Sequence, residues 1–334
     1  MSETQTPDSG TPYADLTPET ILCALESVGY QPSGGMLALN SYENRVYQIG
    51  MEEGPPLVAK FYRPQRWSDA SIQEEHNFTL ALVADEIPVV PPLQNASGQT
   101  LFHYQGYRFA LFPRRGGRWP ELENPDNLEW IGRFIARIHL LGAAQPFKHR
   151  PTIDPDQMGR ASAEYLLSEG CIPLELESSY RRVTDALQQR IDEAFSATRE
   201  CRVIRLHGDC HPGNILWTEL GPHFVDMDDC RNGPAIQDLW MLLSGDRQEM
   251  ALQLSYIREG YETFRELDGR EVALIEPLRT LRMIHYAAWL ARRWQDPAFP
   301  LAFPWFHTHQ YWQAHVGELE QQLQLLDEPP LPVY

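Results

Sequence analysis

Between Arg205 and Trp217 the chain reads RLHGDCHPGNILW, which sets two histidines, an aspartate, a cysteine and an asparagine between apolar flanks. Two chemistries fit these residue types. His207, Asp209, Cys210 and His211 are all of kinds that ligate transition ions, and together they would make a metal cage. On an extended loop, however, alternate side chains point one way and neighbours diverge, so four such ligands do not converge easily. A metallophosphatase-like form of the cage would also need a downstream G-N-H loop, which the chain lacks. The other chemistry is phosphoryl transfer, where protein groups do little covalent work. It needs one carboxylate to orient and deprotonate an acceptor hydroxyl, and hard oxygen ligands for magnesium. Asp209, followed five positions later by Asn214, supplies that set in the H-x-D-x-x-x-x-N order of a kinase catalytic loop.

A second magnesium-binding carboxylate should follow on a short strand. HFVDMDD offers Asp226, twelve residues beyond Asn214. NILW and HFV then read as the two strands that bring Asn214 and Asp226 to one ion. A phosphate-binding lysine belongs on a strand nearer the N-terminus, and Lys60 stands in the middle of LVAKFYR. A buried lysine without a counter-charge is costly, so a helix should deliver a carboxylate to it. Glu74 and Glu75 both qualify; Glu75 shares a helical stripe with Phe78 and Leu82. No G-x-G-x-x-G occurs, but LNSYENRVY places Ser41 and Asn44 where hydroxyl, amide and backbone N–H groups would face phosphate oxygens. Plainer readings stand beside these: Lys60 as a solubilising residue on an edge strand, and Ser41 as an ordinary turn residue. His139, His211 and His285 read as structural histidines satisfying backbone carbonyls. Cys210, Asp228 and Asp229 are left without a role.

These residues need elements to hold them. A polar tail (residues 1–14) precedes a helix at TPETILCALESVG. MLALNSYENRVYQIG and PLVAKFYR alternate as strands do. A helix follows at DASIQEEHNFTLALVADE, with Asp69 as its cap, and IPVVPP stops it. TLFHY and YRFALF flank Gln105-Gly106 as a hairpin. After FPRRGG the pattern turns helical: Leu128, Ile131, Ile135 and Ile138 form one stripe, and further helices are expected at 156–169, 177–198, 236–244, 247–264, 271–294 and 309–326. The aromatic FPWFHTHQYW reads as core, as a packing surface or as the lining of an acceptor pocket. The expected organisation is a β-rich N-lobe over 15–113 and a helical C-lobe over 114–334.

The chain has 334 residues and a formal charge of −18. That field repels polyanions, so nucleic acid and anionic membranes are not expected partners. Five scattered cysteines without a C-x-x-C pair argue against a disulfide framework or a structural zinc. No export signal or spanning run is visible, which points to a cytoplasmic protein.

The ordered set LNSYENRVY, VAKFYRP, EEH, IPVVPP, LHGDCHPGN, VDMDD and QDLWMLL resembles the kinase-like phosphotransferases of the aminoglycoside phosphotransferase and choline kinase type. It is similar above all to the bacterial stress response kinase A family, described as serine/threonine protein kinases. The resemblance implies an α+β, two-lobed, protein-kinase-like fold with ATP and Mg2+ in the cleft. It also implies a Ser/Thr-bearing protein substrate, the enzyme itself included; a monomer is taken as the default. By the same resemblance Asp209 is the proton acceptor, Asn214 and Asp226 the magnesium ligands, and Ser41 an ATP contact. Lys60 with Glu75 would hold the α- and β-phosphates, Asp238 would tie down the catalytic-loop backbone, and His207 would pack behind the loop. Departures from protein kinases point elsewhere. DMDD stands for D-F-G, no A-P-E follows, and the twelve residues from Asp226 to Asp238 are too few for a long activation segment. A kinase of an amino sugar, a choline-like compound or an amino alcohol is therefore the rival reading. A non-catalytic nucleotide-binding scaffold is a third.

Overall fold

Thr17 opens the first helix, α1 (Pro18–Ser27): its hydroxyl accepts the Thr20 N–H at 3.2 Å, and Pro18 fills the position where no N–H is needed. The structure is a computed structural model, and it describes residues 12–332; the first eleven residues of the expected polar tail lie outside the described residues. Next come β1 (Pro32–Ala38), β2 (Arg45–Met51), β3 (Leu57–Phe61), α2 (Asp69–Ala84), β4 (Phe102–Tyr104) and β5 (Tyr107–Pro113). The strands form one antiparallel sheet in the order β1-β2-β3-β5-β4. Lys60 on β3 is flanked by Val46 of β2 and Ala110 of β5, so it sits in the middle of the sheet and not on an edge. Gln105 and Gly106 make the expected two-residue turn with φ of 47° and 83°, the left-handed pair that such a hairpin demands. The cap of α2 is Ser68, not Asp69. The Ser68 hydroxyl accepts the Ser71 N–H at 3.1 Å, while Asp69 turns to His103 and Arg108.

The helical part starts at α3 (Pro125–Gly142), capped by Asn124, with the expected stripe of Leu128, Ile131, Ile135 and Ile138 buried. The segment expected as one helix from 156 is a π-helical turn, Asp156–Arg160, followed by α4 (Ala161–Ser168). Then come α5 (Leu174–Ala197), β6 (Ile204–Leu206), β7 (Ile215–Thr218), β8 (Gly221–Phe224), β9 (Arg231–Gly233), α6 (Ile236–Trp240), α7 (Arg247–Tyr261), α8 (Ile275–Arg293), α9 (Ala298–Ala302) and α10 (His309–Leu326). β7 pairs with β8, and β6 with β9.

Two compact units result. The described residues up to His76, with Pro91–Arg114 and Arg293–Pro304, make the first; Asn77–Val90, Arg115–Arg292 and the described residues from Trp305 make the second. The first is centred on Ile49, Ala59, Phe61, Phe109 and Leu111, closed by Leu25 of α1. The second has a larger core that joins α3, α6, α7 and the short strands through residues such as Ile135, Leu206, Phe224, Leu239 and Ile257. Phe306 and Trp312 of the C-terminal aromatic run are fully buried, Trp312 edge-on to Tyr180, and these two belong to the core, while Trp305 is exposed. Among the described residues no helix is long and apolar enough to cross a membrane.

Candidate active site

The loop from His207 to Asn214 leaves β6 and enters β7. Its shape is set from α6. The fully buried Asp238 carboxylate accepts the backbone N–H of His207 and of Gly208, each at 2.8 Å, and the imidazole Nε2–H of His139 at 2.9 Å. Burial alone would push the Asp238 carboxyl up; the His139 hydrogen bond and the Gly208 N–H outweigh it and hold it below the usual carboxylate range. Burial lowers His139 below an ordinary histidine, and its Nδ1 lies 2.9 Å from the Tyr261 hydroxyl. Tyr261 in turn receives Arg265. Gln237 closes the frame by donating to Gly208 O at 3.1 Å. Gly208 itself has φ +86°, and a Cβ there would stand 2.3 Å from the Asp229 carbonyl oxygen, so no other residue fits.

Within this frame the Asn214 amide donates to Asp209 O at 3.0 Å, fixing which end of the amide is nitrogen and leaving its oxygen turned to other partners. The Val225 N–H donates to Asn214 O at 3.0 Å, and β7 pairs Ile215 with Phe224. Asn214 thus lies across the hairpin from Val225, one residue from Asp226. Asp226 holds φ 57° and ψ 65°, the left-handed region, where the chain breaks from β8 into a 3-10 turn at Met227–Asp229. An amide oxygen and a carboxylate suit a hard cation whose other positions belong to water and phosphate. The cage of soft ligands does not assemble. His207 Nε2 is taken by Val225 O at 2.9 Å, His211 Nδ1 by the Gly213 N–H at 3.0 Å, and burial pushes the Cys210 thiol well above its ordinary value. Among the described residues no three His, Cys, Asp or Glu side chains gather as a metal cluster.

In the first unit, Lys60 Nζ lies 3.6 Å from Glu75 Oε1, both side chains buried, and over the Tyr62 ring at 5.1 Å. Of the two glutamates considered, Glu75 meets the lysine. Ser41 is half-buried in the loop from β1 to β2. Asn44 is buried, and its Oδ1 accepts the Arg63 N–H at 3.1 Å. The loop is pinned beside Ser41, because Glu43 takes the Arg293 guanidinium at 3.0 Å.

Three features escaped the sequence reading. His139 and His285 do not bind backbone carbonyls: His139 serves Asp238, and His285 lies 3.2 Å from the Ser162 hydroxyl. Asp229 is paired with Arg231 at 2.8 Å, and the backbone oxygen of the buried Asp228 receives Arg150. Most consequential, Arg282 of α8 places Nη1 2.5 Å from Asp209 Oδ1. Nothing in the local sequence marks it.

A model of the phosphotransferase enzyme family matches residues 36–275. A "Stress response kinase A" from Salmonella choleraesuis (strain SC-B67) is 47% identical over 330 residues, covering 98% of this chain and 99% of that protein. A "Serine/threonine protein kinase RdoA" from Salmonella typhimurium (strain LT2) shows the same 47% identity over 330 residues, with 98% and 99% covered. Among solved structures, an amicoumacin kinase in complex with AMP-PNP, Ca2+ and Ami superposes with a TM-score of 0.72 at 19% identity, over 95% of this chain and 96% of that one. That likeness speaks for the fold, which is of the aminoglycoside phosphotransferase and choline kinase type.

Proposed function

Because the chain belongs to the phosphotransferase enzyme family and, within it, to the stress response kinase A proteins, we propose that this phosphotransferase moves the γ-phosphoryl group of ATP, with magnesium, onto serine or threonine hydroxyls of protein substrates. The observation that carries the reading is the Asp209–Asn214 loop, locked through its backbone by the buried Asp238. Asp209 orients the incoming hydroxyl and takes its proton as the new O–P bond forms and the bond to the β-phosphate oxygen breaks, releasing ADP. Asn214 and Asp226 hold the metal, whose charge, when bound, offsets that of the phosphates. Lys60, steadied by Glu75, holds the α- and β-phosphates, and Ser41 contacts the nucleotide. The enzyme works in the cytoplasm as a monomer, and its own hydroxyls are among the candidate acceptors.

One observation favours the rival, a small-molecule kinase. Between Asp226 and Asp238 the chain is filled by a 3-10 turn, β9 and the start of α6, with no long segment to seat a peptide. Labelled ATP offered to generic protein substrates and to a panel of small hydroxyl compounds separates the readings, with Asp209→Ala as the control. Label in protein supports the proposal, label only in small compounds supports the rival, and no consumption of ATP leaves a nucleotide-binding scaffold.

A further inference from the structure

Asp238 and Asn214 fix the backbone around Asp209, but neither touches its carboxylate. The side-chain torsions of Asp209 are set by other groups. Arg282 Nη1 meets Oδ1 at 2.5 Å, and Asp209 is the only carboxylate that Arg282 pairs with among the described residues. His211 stands at the other oxygen, its Nε2 3.5 Å from Oδ2. Its Nδ1 accepts the Gly213 N–H, so the ring hydrogen is on Nε2, and burial holds the ring below an ordinary histidine. A neutral ring at that distance is a weak partner; the guanidinium is the strong one. The loop HGDCHPGN has no lysine or arginine of its own, so the cation beside the base comes from α8. That helix is a rigid mount. Leu281 and Ile284, on either side of Arg282, are buried, and the Arg279 guanidinium one turn earlier covers the Trp240 ring of α6 at 5.0 Å. One helix thus sets the backbone of the loop through Asp238, and the helix that touches it sets the carboxylate of Asp209.

We propose that Arg282 is the positioning residue of Asp209: by engaging Oδ1 it turns Oδ2 toward the acceptor, and Oδ2 is the oxygen that takes the proton. The inference rests on Asp209 as proton acceptor and adds the group that aims it. Arginine and aspartate together are neutral, so what Arg282 contributes is direction and not net charge. In the transfer step the acceptor's O–H bond breaks as its oxygen bonds phosphorus. The hydrogen moves to Oδ2, and ADP leaves with the electron pair of the bridging bond. Arg282 keeps its own protons throughout. Its hydrogen bond to Oδ1 survives, because a protonated carboxyl still accepts at its other oxygen. An aspartate free to turn would meet many acceptors with its oxygens misplaced, and a displacement of about 1 Å costs on the order of a hundredfold in rate.

The test uses the full chain with ATP and magnesium. It reads ADP release with dephosphorylated casein as acceptor and with water alone, which Asp209 must orient in the same way. Arg282→Ala should lower kcat by about ten- to a hundredfold with either acceptor, with the KM for ATP and the melting temperature unchanged. Arg282→Lys keeps a charged donor and should recover part of the loss. The deciding protein combines Asp209→Ala with Arg282→Ala. It should be no slower than Asp209→Ala alone, because a group that acts only through Asp209 then has nothing left to aim. Four results would overturn the inference while leaving Asp209 as proton acceptor: a further loss of the same factor on top of Asp209→Ala, an unchanged kcat in Arg282→Ala, an effect confined to the KM for ATP, or a loss of activity that tracks a lowered melting temperature. A parent enzyme that releases no ADP, or an Asp209→Ala variant as fast as the parent, would overturn both.

Discussion

Asp226 is the residue where backbone and chemistry meet most directly. A non-glycine residue in the left-handed region carries strain of order 1 kcal/mol, and Asp and Asn tolerate it better than most. Asp226→Asn therefore keeps the turn and removes only the charge, whereas Asp226→Ala removes the carboxylate and adds strain. Either substitution should abolish metal-dependent nucleotide binding in titration calorimetry. Asp209→Ala should leave nucleotide binding largely intact and lower transfer by roughly 10²–10⁴, the usual worth of a positioned general base; the reverse pattern would exchange the two roles. Glu75→Gln removes the carboxylate that the buried Lys60 meets, and should lower stability by roughly 3 kcal/mol in denaturant titration while raising the apparent KM for ATP. These candidates stand out in the sequence because each sits in a short pattern, and the choice of Glu75 over Glu74, which the contact with Lys60 bears out, followed from its stripe with Phe78 and Leu82. Arg282 was not legible: it meets Asp209 from 73 residues away, and only the folded path of α8 joins them. Ser68 and Asp69 are equally good caps by type, so the backbone had to choose between them.

The next scale up is α6, which carries Asp238 and is itself held at its start. The Glu271 carboxylate accepts the Ile236 N–H at 2.9 Å, and burial pushes its carboxyl up to about 7 from an ordinary 4.5. The folded protein therefore keeps this proton up to about pH 7, while the unfolded chain gives it up above about 4.5. The contribution of the group is complete below the lower value and is lost as pH rises through the upper one. Glu271→Gln stays neutral and can still accept the Ile236 N–H, so its stability should be flat across that window and should exceed the parent's at pH 8 by up to ~3 kcal/mol. Thermal denaturation from pH 4.5 to 8 checks this, and an unchanged slope in the variant would remove Glu271 as its source. Elements with a strong period, such as α3 and α10, were legible, as was the hairpin with its Gln-Gly turn. β9 was not, because three residues, Arg-Asn-Gly, show no alternation and become a strand only by pairing with β6. Nor was α9, a short helix between prolines in a segment that Asp296 ties to Arg45 and Arg63.

At the scale of the molecule the charge of −18 governs which ligands approach and what they must bring. Composition alone set aside polyanions and disulfides, and the ordered motifs pointed to the family that the relatives at 47% identity share. Composition said nothing of the acceptor. The same global sign makes a triphosphate a poor ligand by itself. Each added negative charge works against the field unless a cation arrives with it, and the protein oxygens proposed for that cation are those of Asn214 and Asp226. A non-hydrolysable ATP analogue should therefore raise the melting temperature only when a divalent metal is present. At a hundredfold excess over Kd, binding to the folded state alone adds about 2.7 kcal/mol, a shift on the order of 5 °C for a chain of this size class. Excess chelator should abolish the shift, and monovalent salt should not restore it, since screening weakens repulsion without filling a coordination site. Asp226→Asn should show no shift under any of these conditions, whereas Asp209→Ala should show the full one. A chelator-insensitive shift in the parent would mean that the nucleotide is held by protein cations alone, and Asn214 and Asp226 would lose their role as metal ligands.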